Sequence, residues 1–256
     1  MVHYEFPLNE AMRTWLRLMA LFDRLDRLAA RDDPLDHHHA LATAFEVTDI
    51  AARVDLRADL LRELERYRVS FAALRGHPSV DVQTLGMTLS RLESSSSALQ
   101  AASGKLHHQL AQDEFLMSLK SRIGIPAGTC EFDLPAYRAW QLQPPADRRR
   151  QVQAWLRPME PYVQAIRLVV DLVRQSGSPQ RQTATDGQLQ LPLTAGRPVA
   201  LVRVGVPVDD PVQAIPEVSG HRLMLAIRIM RLDPAGNVLP CSSSIELSLT
   251  LCSTAA

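Results

Sequence analysis

At 256 residues, 46% apolar and 22% charged, the chain has room for one large domain or two small ones with an ample core. Its formal net charge of zero argues against a nucleic-acid duplex as ligand, because duplex binders carry a basic excess. The charge is uneven all the same: residues 140–231 hold 12 basic side chains against 7 acidic ones, a balance suited to an anionic peptide.

The first two-thirds read as helices. Asn9 is placed to cap a helix that carries Met12, Trp15, Leu16, Met19 and Phe22 on one face and ends before Asp32-Asp33-Pro34. Further helices are expected over 38–52, 55–74 and 81–92, with Leu56, Leu60, Leu61 and Leu64 facing inward on the second of them. Ser94 to Ser97 is the lowest-complexity stretch, a loop or a weak helical continuation. Helices are expected again over 113–123 and 147–156, and Met159, Tyr162, Val163, Ile166, Val169, Val170 and Val173 form the most regular helical stripe. Between them, Thr129 to Leu134 alternates like a short strand.

After Ser176-Gly177-Ser178-Pro179 the pattern changes to strands, at 189–193, 199–206, 221–232 and 245–252. Ile245, Leu247, Leu249 and Leu251 alternate with Glu246, Ser248 and Thr250. Pro234-Ala235-Gly236-Asn237 marks a turn. The expected architecture is α+β in two lobes: a mainly helical domain over 1–177, with the strand at 129–134 joining the sheet, and an antiparallel β-rich domain over 178–256.

The segment from Val218 to Asp233 is the most informative. At a strand's period of two, Leu223, Leu225, Ile227 and Ile229 share one face, and Arg222, Met224, Ala226, Arg228 and Met230 share the other. A face holding two arginines and two methionines suits a charged, partly apolar ligand. The bland alternative is a solvent-facing strand whose charges discourage aggregation. Arg53 and Arg57, four residues apart, share a helix face if the helix is continuous there. They fit a ligand site or a salt-bridge face neutralised by Asp55 or Asp59 equally well.

No comparable pattern points to bond-breaking chemistry. Ser219-Gly220-His221 lacks a nucleophile elbow, and neighbours on a strand face opposite ways. Adjacent histidines on a helix diverge, so His37-His38-His39 reads as a solvated helix start rather than a metal site, and His107-His108 reads likewise. Arg148-Arg149-Arg150 also reads as a solvated helix start. The thiols Cys130, Cys241 and Cys252 have no metal or disulfide spacing and read as buried and structural. No phosphate loop occurs. No run of about 18 apolar residues predicts a membrane span. The start Met-Val-His-Tyr-Glu-Phe-Pro does not read as a secretory signal, so a cytosolic protein without cofactor or catalytic residues is expected.

Five stretches together resemble the ZapD family of bacterial cell-division proteins: EFPLNEAMRTWLR, RVDLRADLLRELER, SRIGIPAGTCEFDLP, VVDLVRQSGSPQRQT and VSGHRLMLAIRIMRLD. They stand in the family's order over nearly the whole chain. The resemblance implies a cytosolic, non-enzymatic homodimer, without cofactor or metal, that binds the C-terminal tail of FtsZ and cross-links its filaments at the midcell division site. It implies a basic pocket for that tail, with Arg53 and Arg228 at positions where the family has pocket arginines. Met224 stands where the family has a third arginine; Arg222 and Arg231 are the candidates to replace its charge, and Arg57 the helical neighbour. Nucleic acid and membrane are not expected partners. The alternative from another class is a nucleic-acid binder using Arg148 to Arg150 and the arginines from Arg222 to Arg231.

Overall fold

The computed structural model describes residues 1–102, 106, 110–193, 198–207, 214–221 and 223–255, without the side chain of His221. His107, His108 and Arg222 therefore lie outside the described residues. The fold is α+β, with a helical N-terminal region and a strand-rich C-terminal part in antiparallel sheets. Residues cluster into two compact units, Thr14–Val169 and, together, Met1–Arg13 with Val170–Ala256.

In the helical unit, α1 (Glu10–Ala29) begins as expected, with the Asn9 side chain accepting from the Met12 amide at 2.8 Å. α2 (Pro34–Ala52) begins earlier than periodicity implies, because Asp33 caps the Leu35 amide and Pro34 presets the first turn. The three histidines thus fall inside the helix. α3 (Leu56–Ala72) is separate, with Asp55 as its N-cap on Ala58. α4 (Val82–Ala101) runs straight through the serines: Leu85, Leu89, Leu92 and Leu99 keep one buried stripe, and Ser95 packs within it. The next helices are α5 (Glu114–Ile123), α6 (Pro135–Gln141), α7 (Pro145–Leu156) and α8 (Glu160–Gln175), the last entered through one turn of 3₁₀ helix. Among the described residues, no helix is long and apolar enough to cross a membrane.

The strand expected over 129–134 does not form. The backbone closes on itself there, with the Cys130 amide bonded to the Ala127 carbonyl and the Asp133 and Leu134 amides to the Cys130 carbonyl. With no neighbouring strand to accept them, these groups are satisfied locally. Phe132, which alternation would bury, is 83% exposed.

The β unit holds two antiparallel sheets. The first has the order β1 (Val2–Pro7), β4 (Val199–Val206), β8 (Ile245–Ser253), β2 (Gln180–Ala184). The second has β3 (Gln188–Pro192), β6 (Met224–Leu232) and β5 (Ile215–His221), with β7 (Val238–Pro240) also paired to β6. Strand β1 is missing from the sequence reading: its pairing with β4 is a contact between distant segments that no local pattern announces. The chain crosses from one sheet to the other at Asp186-Gly187, both with positive φ (50° and 69°), the residue types a tight turn of this hand selects. A side chain at Gly187 would also collide with the Cys241 carbonyl.

One apolar core serves both sheets. Val202 and Val204 of β4, Leu247 and Leu249 of β8, and Leu225, Ile227 and Ile229 of β6 meet in it. Each such side chain contributes about 1.5–3 kcal/mol on burial. The other face of the first sheet is closed too. Cys252 and Thr250 are buried, the Ser253 amide donates to the Ser176 hydroxyl at 2.9 Å, and a side chain on Gly177 would strike the Leu251 carbonyl. Glu5 of β1 is clamped there between Arg174 and Arg203, at 2.8 and 3.0 Å.

Candidate functional site: an open sheet face and a helix corner

Because Leu225, Ile227 and Ile229 are held in the core, their even-numbered neighbours on β6 must point away from it. Met224 is 38% exposed and Arg228 is exposed, which matches the expected division of the strand. A slip of one residue would drive Arg228 into the core, so the register that buries three aliphatics also fixes the arginine outward.

Arg228 stands opposite Glu217 on β5 and Gln188 on β3. Directly opposed residues of antiparallel strands lie close enough to pair. The Arg228 guanidinium nevertheless makes no ion pair or hydrogen bond with any described residue. Flanking it on the same outward face, Gln190, Glu217 and Ser219 are exposed and polar, and Ala226 and Met224 supply the apolar ground. Two members of the expected face behave differently. Met230 is 9% exposed, seated between Ile215 and Pro240, so it does not serve as contact surface. Leu223, assigned to the core face, is 62% exposed because it lies just before the paired part of the strand. Arg231 is exposed, but its odd position gives it the opposite parity to Arg228, and it pairs in register with Leu239 of β7. It extends the basic character of the strand end without sharing the face.

Arg53 and Arg57 do not lie on one continuous helix. Arg53 closes α2 as its C-cap, and Arg57 sits in the first turn of α3, with the break at Asp55 between them. Aspartate stabilises a helix start, so the break follows from the capping bond of Asp55 to Ala58. The carboxylates offered as local neutralisers are used elsewhere, Asp55 as that cap and Asp59 by Arg62 at 3.1 Å. Arg57 donates to the Gln100 carbonyl at 2.6 Å. Among the described residues, neither Arg53 nor Arg57 forms an ion pair. These two belong to the helical unit; Met224, Arg228 and Arg231 belong to the β unit.

Of the basic run at 148–150, Arg149 and Arg150 lie at the solvated start of α7 as expected, whereas Arg148 is structural. Arg148 is 3% exposed. It donates to His37 Nδ1 at 3.2 Å, to the Gln141 carbonyl at 3.0 Å, and to the carbonyls of Gln143 and Asp32. His37 is fully buried, and burial depresses its pKa; the Arg31 carbonyl opposes this, and the charge of Arg148 reinforces it. The ring is therefore neutral and able to accept from the guanidinium. His38 bonds the Tyr137 hydroxyl at 2.8 Å, beside the stacked rings of Tyr137 and Trp140. Arg149 and Arg150 pair with Asp32 and Asp147. Nothing in the local pattern signals this node, since its acceptors come from separate segments.

A hollow of about 650 Å³ among α1, α7 and α8, lined in part by Phe22, Leu25 and Met159, holds none of the expected site residues. Among the described residues, no cluster of three His, Cys, Asp or Glu side chains is placed to hold a metal ion. The thiols are free, with Cys241 and Cys252 buried and Cys130 half-buried beside Asp133.

The sequence model of the ZapD cell division proteins matches residues 16–228. The cell division protein ZapD of Dechloromonas aromatica (strain RCB) is 43% identical over 254 residues, covering 98% of this chain and 99% of that protein. Those of Ralstonia pickettii (strain 12J) and Azoarcus sp. (strain BH72) are 42% and 39% identical over 252 residues, each with 98% of this chain and 99% of the relative covered. With a match of that length and relatives that align end to end, the chain belongs to the ZapD family of cell division proteins and has a role in cell division.

Proposed function

We propose that the chain is a non-enzymatic, cytoplasmic division factor that binds the acidic C-terminal tail of FtsZ and, as a homodimer, cross-links FtsZ filaments at the midcell ring. The side chains assigned to the tail are Arg53 and Arg57 of the helical unit and Arg222, Met224, Arg228 and Arg231 of the β unit. The observation that carries this reading is that, among the described residues, neither Arg53 nor Arg228 is paired with a carboxylate. Most other arginines, from Arg13 and Arg24 to Arg167 and Arg174, are already paired within the fold. A guanidinium kept free at the surface offers a planar two-donor fork to a tail carboxylate, and Met224 beside Arg228 gives an adaptable apolar rest for neighbouring tail atoms.

Two tail sites in one dimer make bundling possible with weak single contacts. Once one site is occupied, the second meets its target at high effective concentration. The nucleic-acid alternative loses Arg148 from its proposed surface, because that side chain is buried. The test is cosedimentation of the full chain with polymerised FtsZ, with and without the last ~15 residues of FtsZ, a length that an extended-peptide site accommodates. The chain is expected to pellet with intact filaments alone. Equal pelleting with both would overturn the tail reading.

A further inference from the structure

The corner between α2 and α3 contains a polar group without a partner. Tyr162 of α8 is 1% exposed, and its hydroxyl, wholly buried, makes no hydrogen bond with any described residue. It lines a small crevice with Val54, Asp55, Leu56, Arg57 and Leu106. The crevice measures about 10 Å³, room for one water-sized group. A buried hydroxyl left unpaired destabilises a fold, and phenylalanine would fill the same space without that penalty. The tyrosine is explained if an acceptor arrives from outside.

The surroundings say what kind of acceptor. The crevice opens at the start of a 17-residue helix, whose first amides carry partial positive charge. Of these, Ala58 is occupied by the Asp55 cap, while the Leu56 and Arg57 amides have no partner among the described residues. Arg57 is held in place by the Gln100 carbonyl at the end of α4, with its remaining donors uncommitted, and Arg53 stands one residue from the crevice wall. Burial raises the Tyr162 pKa; Arg57 opposes the rise and Asp55 adds to it. The phenol thus keeps its proton at neutral pH and enters as a donor.

We propose that this corner is a subsite for one carboxylate of the acidic peptide, with one oxygen seated on the Tyr162 hydroxyl and the charge met by Arg57 and Arg53. The inference rests on the tail-binding reading and adds to it a positioning residue and a selectivity. Asp55 shares the corner, so the site tolerates a singly charged carboxylate and rejects a doubly charged phosphate. The size of the crevice points the same way.

The experiment measures affinity of the full chain for an FtsZ tail peptide and for the same peptide with its Asp and Glu residues replaced by Asn and Gln. Tyr162→Phe is isosteric; Arg57→Lys serves as a second variant that keeps the charge but loses the fork. Each is expected to weaken the acidic peptide about 10–100-fold, the worth of one charge-assisted hydrogen bond. Tyr162→Phe should bind the amide peptide as the wild type does. Inorganic phosphate at matched ionic strength should not compete. Wild-type affinity in Tyr162→Phe, with binding lost in Arg228→Glu, removes the subsite and leaves the tail reading intact. Wild-type affinity in both overturns the tail reading itself. Equal weakening toward both peptides, or competition by phosphate, also overturns the carboxylate assignment.

Discussion

Arg148 and Arg228 carry the same guanidinium to opposite ends. Arg148 in the helical unit is enclosed, and its donors are taken by His37 and by three backbone carbonyls. Arg228 in the β unit is turned outward by the register of β6, beside Glu217 and Gln188, and engages neither. A buried cation is tolerable only when its donors are matched, so the first is a fastener. An exposed cation costs the fold little, so the second is free to meet a partner. Within one chain, then, the state of its hydrogen bonds separates a structural arginine from one left available at the surface better than its neighbours in sequence do.

Three substitutions break or sharpen that contrast. The largest effect is expected of Arg228→Glu, which places a second carboxylate opposite Glu217 and should abolish pelleting with FtsZ filaments while lowering the urea midpoint only slightly, by the ~0.5 kcal/mol of one exposed like-charge pair. Retained pelleting would remove Arg228 from recognition. Arg148→Ala should do the converse: orphaned carbonyls and a buried imidazole without its donor cost about 3 kcal/mol, read as a lower urea midpoint. A midpoint equal to that of the wild type would mean that the node is not a fastener.

Glu5→Gln is the mildest. Burial pushes the Glu5 carboxyl up, but its hydrogen bond and charge interaction with Arg174, joined by Arg203, outweigh that and hold it below the ordinary 4.5. A carboxyl depressed in the folded state contributes stability that is whole above pH 4.5 and is lost as the pH falls through the folded value. At neutral pH the substitution should cost about 1–2 kcal/mol, and the difference from wild type should shrink in acid. A gap that is constant with pH would show that the clamp is not electrostatic.

Much of the architecture was legible in the sequence because it is written in period and punctuation. Asn9 announces α1, the alternation of Ile245, Leu247 and Leu249 announces β8, and Leu225, Ile227 and Ile229 fix which way Arg228 points. The α2–α3 corner had a local signal too: Asp55 immediately before an apolar-periodic run is an N-cap, and it separates Arg53 from Arg57. What was not legible depends on distant partners. His37 and Arg148 are 111 residues apart, and a run of three arginines looks solvated until the carbonyls that enclose its first member are in place. Phe132 alternates like a strand residue but has no strand to join. Tyr162 belongs to an apolar stripe, and its unpaired hydroxyl is visible only once Asp55 and Arg57 surround it.

The pairing of β1 with β4 has a consequence for synthesis. Glu5 meets Arg203 across 198 positions of chain, so the sheet cannot close until the ribosome has made everything between them. The helices can condense early, whereas β1 must wait, unpaired, until β4 has been made.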